Sequence, residues 1–216
     1  VNAGLGVMTV QAFSRNASGT IFVGTTGGMF RSVAGPSLSW TEINTGMLAA
    51  KVSAFAIKTA SYIFAGTTAG RVFRSKDDGA SWTLVSNGLP NDAVQSINTL
   101  AISPATGDDA GVRGEARAGG ASDGVARSTD NGDSWQGVNA GLTNTTIRAL
   151  ALNASGDLFA GTSNGIFYLK NGSSSWTAVN TGLPPRAVIF SLTVNTNCDV
   201  YAGLVAGGAV YRSTDN

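Results

Sequence analysis

Short apolar runs alternate with polar turns along the whole chain, most regularly between residues 147 and 179. Ile147-Arg148-Ala149-Leu150-Ala151-Leu152 reads as a first strand, followed by the turn Asn153-Ala154-Ser155-Gly156-Asp157. Leu158-Phe159-Ala160-Gly161-Thr162 reads as a second, and Ser163-Asn164-Gly165 as another turn. Ile166-Phe167-Tyr168-Leu169 is a third, Asn171-Gly172 opens a hairpin, and Trp176-Thr177-Ala178-Val179 is a fourth. Gly, Asn and Ser supply the turn conformations between these runs. No stretch shows a 3.6-residue apolar period with caps, so no helix is expected.

The same grammar recurs. Trp40, Trp82, Trp135 and Trp176 lie 42, 53 and 41 residues apart, and a Gly follows each by six, at Gly46, Gly88, Gly141 and Gly182. A further copy of that anchor, Ala3-Gly4-Leu5, opens the chain. Units of about 40 residues with four short strands match the blades of an all-β propeller with antiparallel sheets. Five blades are expected, over 1–43, 44–85, 86–138, 139–179 and 180–216, in one domain. Glycine inside a strand is ordinarily unfavourable. Its recurrence in Val23-Gly24-Thr25, Ala65-Gly66-Thr67, Ala160-Gly161-Thr162 and Ala202-Gly203 therefore predicts close packing of adjacent blades. The last blade breaks off before its outer strand, in Arg212-Ser213-Thr214-Asp215-Asn216. The register favours a segment of a longer propeller, of six to eight blades, over a five-bladed ring with an irregular seam.

Composition narrows the chemistry. Charged residues make up 12% of the 216, with a net charge of +1, and no basic cluster points to nucleic acid. Histidine is absent, which removes the commonest general base and metal ligand together. Cys198 is the only cysteine, so an intrachain disulfide is excluded; the expectation is a partly buried passenger. No apolar run approaches the ~18 residues of a transmembrane helix. No cofactor and no metal site are expected.

The turn before the fourth strand reads Ser75-Lys76-Asp77-Asp78-Gly79-Ala80-Ser81-Trp82, then Ser128-Thr129-Asp130-Asn131-Gly132-Asp133-Ser134-Trp135, and ends the chain as Ser213-Thr214-Asp215-Asn216. Asp accepts backbone N–H bonds at the start of such a turn, Gly supplies a left-handed residue, and Trp buries its apolar face beneath the hairpin. The pattern S-x-D-x-G-x-x-W resembles the Asp-box (BNR) repeat of sialidases, sortilin-type receptors, xyloglucanases and photosystem II assembly-factor-like exported propellers. Two copies are complete, and those ending at Trp40 and Trp176 keep Trp but lose Asp. The resemblance implies an extracellular or periplasmic bacterial protein. It also implies that Ser75, Asp77, Gly79, Trp82, Ser128, Asp130, Gly132, Trp135, Ser213 and Asp215 are structural, on the face opposite the family's usual active site.

A sialidase-like activity would need an Arg triad, a Tyr/Glu pair and an Asp acid. Arg31, Arg74, Arg127 and Arg212 each precede the box Ser of a different blade, so they cannot converge on one anion. The glutamates are Glu42 and Glu115 alone, and the loops of the opposite face, such as Thr25-Thr26-Gly27-Gly28, are nearly uncharged, with Asp92 standing alone. A glycosidase needs two carboxylates roughly 5–10 Å apart. The chain is therefore expected to be a non-catalytic binding or scaffold module for a protein or glycan. The alternatives are an accessory subunit docked on a membrane complex, or a glycoside hydrolase fragment without its catalytic residues. Blade three departs from the repeat by a charged insertion carrying Asp108, Asp109, Arg113, Glu115 and Arg117, where binding specificity is expected.

Overall fold

The computed structural model describes residues 3–6, 8–33, 39–47, 50–59, 61–89, 96–102, 116–120, 123–205 and 207–215, with backbone alone at 116 and 117. Among them are nineteen strands and no helix, and hence no helix able to cross a membrane.

The first sheet is β1 (Val10–Arg15), β2 (Ile21–Thr25), β3 (Gly28–Val33) and β4 (Ser39–Glu42). The second is β5 (Val52–Ile57), β6 (Ile63–Thr67), β7 (Val72–Ser75) and β8 (Thr83–Leu84). The third is β9 (Ile97–Ile102), β10 (Ala116–Gly120), β11 (Val125–Ser128) and β12 (Gln136–Gly137). The fourth is β13 (Ile147–Leu152), β14 (Leu158–Thr162), β15 (Gly165–Leu169) and β16 (Thr177–Ala178), and the fifth is β17 (Ile189–Val194), β18 (Val200–Leu204) and β19 (Val210–Ser213). Every sheet is an antiparallel meander in sequence order, with four strands in the first four and three in the last. The first strands pack in series, β1 on β5, β5 on β9, β9 on β13 and β13 on β17. These are five successive blades of a β-propeller.

No blade buries its own faces. The apolar core is four separate clusters, one at each junction between blades. The contact repeated at each junction is a β-branched residue at the start of a first strand pressed against the glycine of the preceding second strand. A Cβ on Gly24 would lie 2.8 Å from Val52 Cγ1; on Gly66, 2.5 Å from Ile97 Cγ2; on Gly119, 2.5 Å from Ile147 Cγ2; and on Gly161, 2.6 Å from Ile189 Cγ2. The four β-branched residues are 0–6% exposed. Only a residue without a side chain leaves room for them.

The box Trp is the second tie, and it lies elsewhere than under its own hairpin. Trp82, Trp135 and Trp176 are 3–5% exposed because each inserts into the junction with the preceding blade. There the indole N–H donates to the carbonyls of Ile43 (2.9 Å), Val85 (2.7 Å) and Val138 (2.5 Å). The indole body needs more apolar surface than a four-residue hairpin offers, and the neighbouring blade supplies it.

Gly161→Ala is expected to destabilise the chain by about 2–3 kcal/mol, because the new methyl overpacks against Ile189. Adding Ile189→Ala should recover part of that loss, so urea unfolding of the two single variants and the double variant should be clearly non-additive.

Candidate functional site

Antiparallel connectivity gives the propeller two ends. At one lie the first-to-second and third-to-fourth strand turns, which include the Asp-boxes. The second-to-third turns and the links between blades lie at the other, tied by bonds such as Thr26 N–H to Thr9 O (3.1 Å) and Thr68 N–H to Lys51 O (3.0 Å).

The Asp-box end is a closed hydrogen-bond system. Asp77 Oδ1 accepts from the Ser75 hydroxyl (2.8 Å) and the Ser81 N–H (2.9 Å), while Oδ2 takes the Ser81 hydroxyl. Asp130 repeats this with Ser128 (2.8 Å) and Ser134 (2.9 Å). Ser75 and Ser128 are 1% exposed and accept the N–H of Gly79 (2.8 Å) and Gly132 (2.7 Å). Those glycines and the residues before them, Asp78 and Asn131, have φ of +59° to +91°, the left-handed region that Asp, Asn and Gly tolerate best. Ser213 bonds Asp215 in the fifth blade, so that half-box is formed as well.

The box also receives the blade before it. Arg31 Nη1 reaches Asp78 O (2.9 Å) and Oδ2 (3.2 Å), and Asn16 donates to Asp78 Oδ1 (3.2 Å). Arg74 Nη1 reaches Asn131 O (2.7 Å) and Asp133 Oδ1 (2.6 Å), and Lys58 Nζ donates to Asn131 Oδ1 (2.9 Å). Arg212 instead folds onto Asp199 of its own blade (2.9 Å). Arg31, Arg74 and Arg212 thus act singly, with Arg31 and Arg74 clasping the next blade. Asn16 and Asn153, each the start of an Asn-x-Ser triplet, are 5% and 6% exposed and spend their carbonyls on the N–H of Thr20 and Asp157 (both 2.9 Å).

The connection that carries the charged insertion joins β9 to β10, so its ends emerge at this same Asp-box end. Asp108, Asp109, Arg113 and Glu115 lie outside the described residues, as does Asp92; Arg117 is placed as a backbone position in β10, opposite Ala101.

The opposite end has a different character. Each blade carries a β-bulge at the start of its first strand. The extra residues are Gln11, Ser53, Asn98, Arg148 and Phe190. Bulges re-aim side chains and recur beside functional sites. Two of the five are spent on the next blade: the Ser53 hydroxyl donates to Ile97 O (2.7 Å) and Asn98 Nδ2 to Ile147 O (2.7 Å). Arg148 is exposed and steadied by Ser163 Oγ (3.0 Å), and Phe190 is 68% exposed on the neighbouring first strand. The adjoining turns expose Lys51, Arg71 and Arg186, and Asp123 is their one carboxylate among the described residues. The sequence pattern made these loops, the links between blades included, look nearly uncharged; the exposed Lys51, Arg71 and Arg186 correct that expectation. The bulge was equally invisible, since one extra residue does not disturb the apolar pattern around it.

A further repeat escaped the sequence reading. Four residues after each Trp, Asn44, Asn139 and Asn180 accept the N–H that starts the third strand, from Met29 (2.8 Å), Val125 (2.8 Å) and Ile166 (2.7 Å), and Ser86 does so for Val72 (2.9 Å). Gly28, Gly124 and Gly165 make room, since a Cβ there would meet the Asn amide at 2.2–2.3 Å. The signal was present as the spacing W-x-x-x-[NS]. No group of three or more His, Cys, Asp or Glu able to hold a metal occurs among the described residues.

The hydrogen bonds from Ser134, chiefly its hydroxyl and then its N–H, hold Asp130 at about 2, below its ordinary 3.8, and those from Ser81 lower Asp77 in the same way. A carboxylate depressed in the folded state contributes stability above its unfolded pKa and loses it as pH falls through the folded value. Stability should therefore decline between about pH 4 and pH 2. Asp130→Asn should flatten this part of the profile, as followed by denaturant midpoints at stepped pH.

No family model and no curated protein sequence matches the chain. Solved structures do. YCF48 bound to a D1 peptide superposes with a TM-score of 0.66 at 14% identity, over 95% of this chain and 65% of that one. The extracellular domain of a putative hybrid two-component system, BT3049 from B. thetaiotaomicron, gives 0.71 at 18%, over 97% and 28%. The GH74 xyloglucanase from Xanthomonas campestris gives 0.73 at 18%, over 97% and 36%. The chain thus spans 65% of the first and about a third of the other two. The likeness is one of fold, and the chain is a β-propeller of the kind these proteins share.

Proposed function

We propose that this propeller is a non-catalytic recognition module, acting outside the bacterial cytoplasm, that binds a polypeptide partner through the end bearing the bulged residues. The observation that carries this reading is the division of labour between the two ends. The described carboxylates of the box end are occupied in turns and inter-blade clasps. The opposite end presents exposed cations and Phe190, with Asp123 as its one described turn carboxylate. A hydrolase would need a second carboxylate or a nucleophile–base pair there.

Arg148 and Phe190, on first strands that pack together, offer one charge and one aromatic face, a pairing common in protein interface hot spots. A partner segment with an acidic residue near an apolar one would suit them. Two likenesses support the reading: YCF48 was captured with a peptide, and BT3049 contributes an extracellular domain. A surface recognising protein would also suit docking onto a larger membrane assembly.

Selection of a displayed random-peptide library on the chain should enrich acidic-apolar sequences. Their affinity should fall at least ~10-fold on the Arg148→Ala/Phe190→Ser double variant. Absence of enrichment, or indifference to the double variant, would count against this site. Turnover of a sialoside or of xyloglucan by the chain would overturn the non-catalytic reading.

A further inference from the structure

At two internal junctions the third strand seats a phenyl ring in the same way. Phe73 and Phe167 are 4% and 2% exposed, each buried in the junction with the preceding blade. Phe73 shares its cluster with Met47, Val52 and Ala65, and Phe167 shares its own with the matching residues Leu142, Ile147 and Ala160. Each ring stands in register with a second-strand alanine, Ala65 or Ala160, and with an outer-strand residue, Leu84 or Ala178. The chain itself thus defines what such a frame accepts.

The junction between blades two and three has the same frame without the ring. Leu89, Ile97 and Ala118 occupy the matching places and are buried at 3–8% exposure. The third-strand residue there is Ala126, in register with Ala118, and its outer-strand neighbour is Gly137. The other four blades carry an aromatic residue at this position, Phe30, Phe73, Phe167 and Tyr211. A pocket of about 100 Å³ results, with Leu89, Ile97, Ala118 and Ala126 on its walls. Close-packed interiors leave few voids of this size, and apolar ones stay dry and take up benzene-like guests. Gly70 and Asp123, both in second-to-third turns, complete the lining, so the pocket faces the end proposed for recognition. The Asp123 carboxylate stands at this mouth, 3.9 Å from where a Cβ on Gly120 would be. Among the described residues no ion pair engages it.

We infer that this pocket is an anchor site for a phenylalanine side chain of a polypeptide partner, next to a lysine or arginine that pairs with Asp123. The inference rests on the reading that this end receives a polypeptide, and it names the group that enters. Phe73 and Phe167 are the template, since the same four-sided frame holds a phenyl ring at the junctions on either side. An aromatic anchor in a desolvated pocket is the usual centre of a protein interface. Charge then sets the neighbouring residue. The exposed Lys51, Arg71 and Arg186 repel a cation elsewhere on this end, whereas Asp123 attracts one at the mouth of the pocket.

The probe is the peptide acetyl-Gly-Phe-Lys-Gly-amide, titrated into the isotope-labelled full chain and read by the amide shifts of Ala118 and Ala126. Saturable shifts are expected, and the Phe→Ala peptide should bind at least ~10-fold more weakly. Asp123→Asn should weaken the parent peptide about 2- to 5-fold at low ionic strength. Ala126→Phe puts the ring of the other blades into the pocket, so it should abolish binding and raise the melting temperature. The Arg148→Ala/Phe190→Ser double variant should leave the shifts unchanged, because the pocket lies between blades two and three. Failure of those two residues and failure of the pocket are therefore read separately. Absence of saturation at about 10 mM peptide, equal binding of the Phe→Ala peptide, or undiminished binding by Ala126→Phe would overturn the site. Phenethylamine is the second probe. If it saturates the pocket while the peptide does not, the pocket takes a small aromatic amine and the partner assignment is wrong.

Discussion

The fold depends on one close approach: a β-branched residue opening each first strand fits against a second-strand glycine of the blade before it. That contact brings adjacent sheets near enough to form the four junction clusters. A four-stranded sheet with two apolar faces has no stable existence alone, since each face must be covered by a neighbour. Stability is then a sum over junctions, as in other repeat proteins. The Trp indole and the Arg clasps reinforce the same seams from the periphery, and neither could act if the sheets stood farther apart.

Among the described residues, the first and last blades each have a single packed neighbour, and the contrast shows what the seam does. Val10 occupies the position of Val52, Ile97, Ile147 and Ile189, and it is 51% exposed where they are buried. Trp40 is only half-buried, against 3–5% exposure for the three Trp residues that have a preceding blade. At the other edge, the Ser191 hydroxyl oxygen lies 2.5 Å from where a Cβ on Gly203 would be, in place of a neighbour's side chain.

Most of this was legible in the sequence where a position had to be filled by one residue type. The Gly-Thr strands, the Trp spacing and the Ser-Asp-Gly turns each reflect a site that tolerates little else, so they repeat visibly. The direction of a side chain was not legible. Trp82 and Arg74 read as members of their own hairpins, yet they serve the neighbouring blades, because sequence spacing fixes the strand and not the sheet across from it. The face proposed for recognition was harder still. Its residues, Gln11, Ser53, Asn98, Arg148 and Phe190, differ in every blade, and only the shared bulge unites them. The recognition proposed for this end would thus rest on positions that vary from blade to blade, against scaffold positions that repeat.

Strand-resolved hydrogen–deuterium exchange tests the central claim, that stability resides in the junctions between blades. Strands flanked by two junctions, β5–β7, β9–β11 and β13–β15, should exchange slowest, and β1 and β19 at the exposed faces should exchange first. Equal protection of all five blades, or terminal blades as slow as the central ones, would show that each sheet is stable by itself and contradict the account.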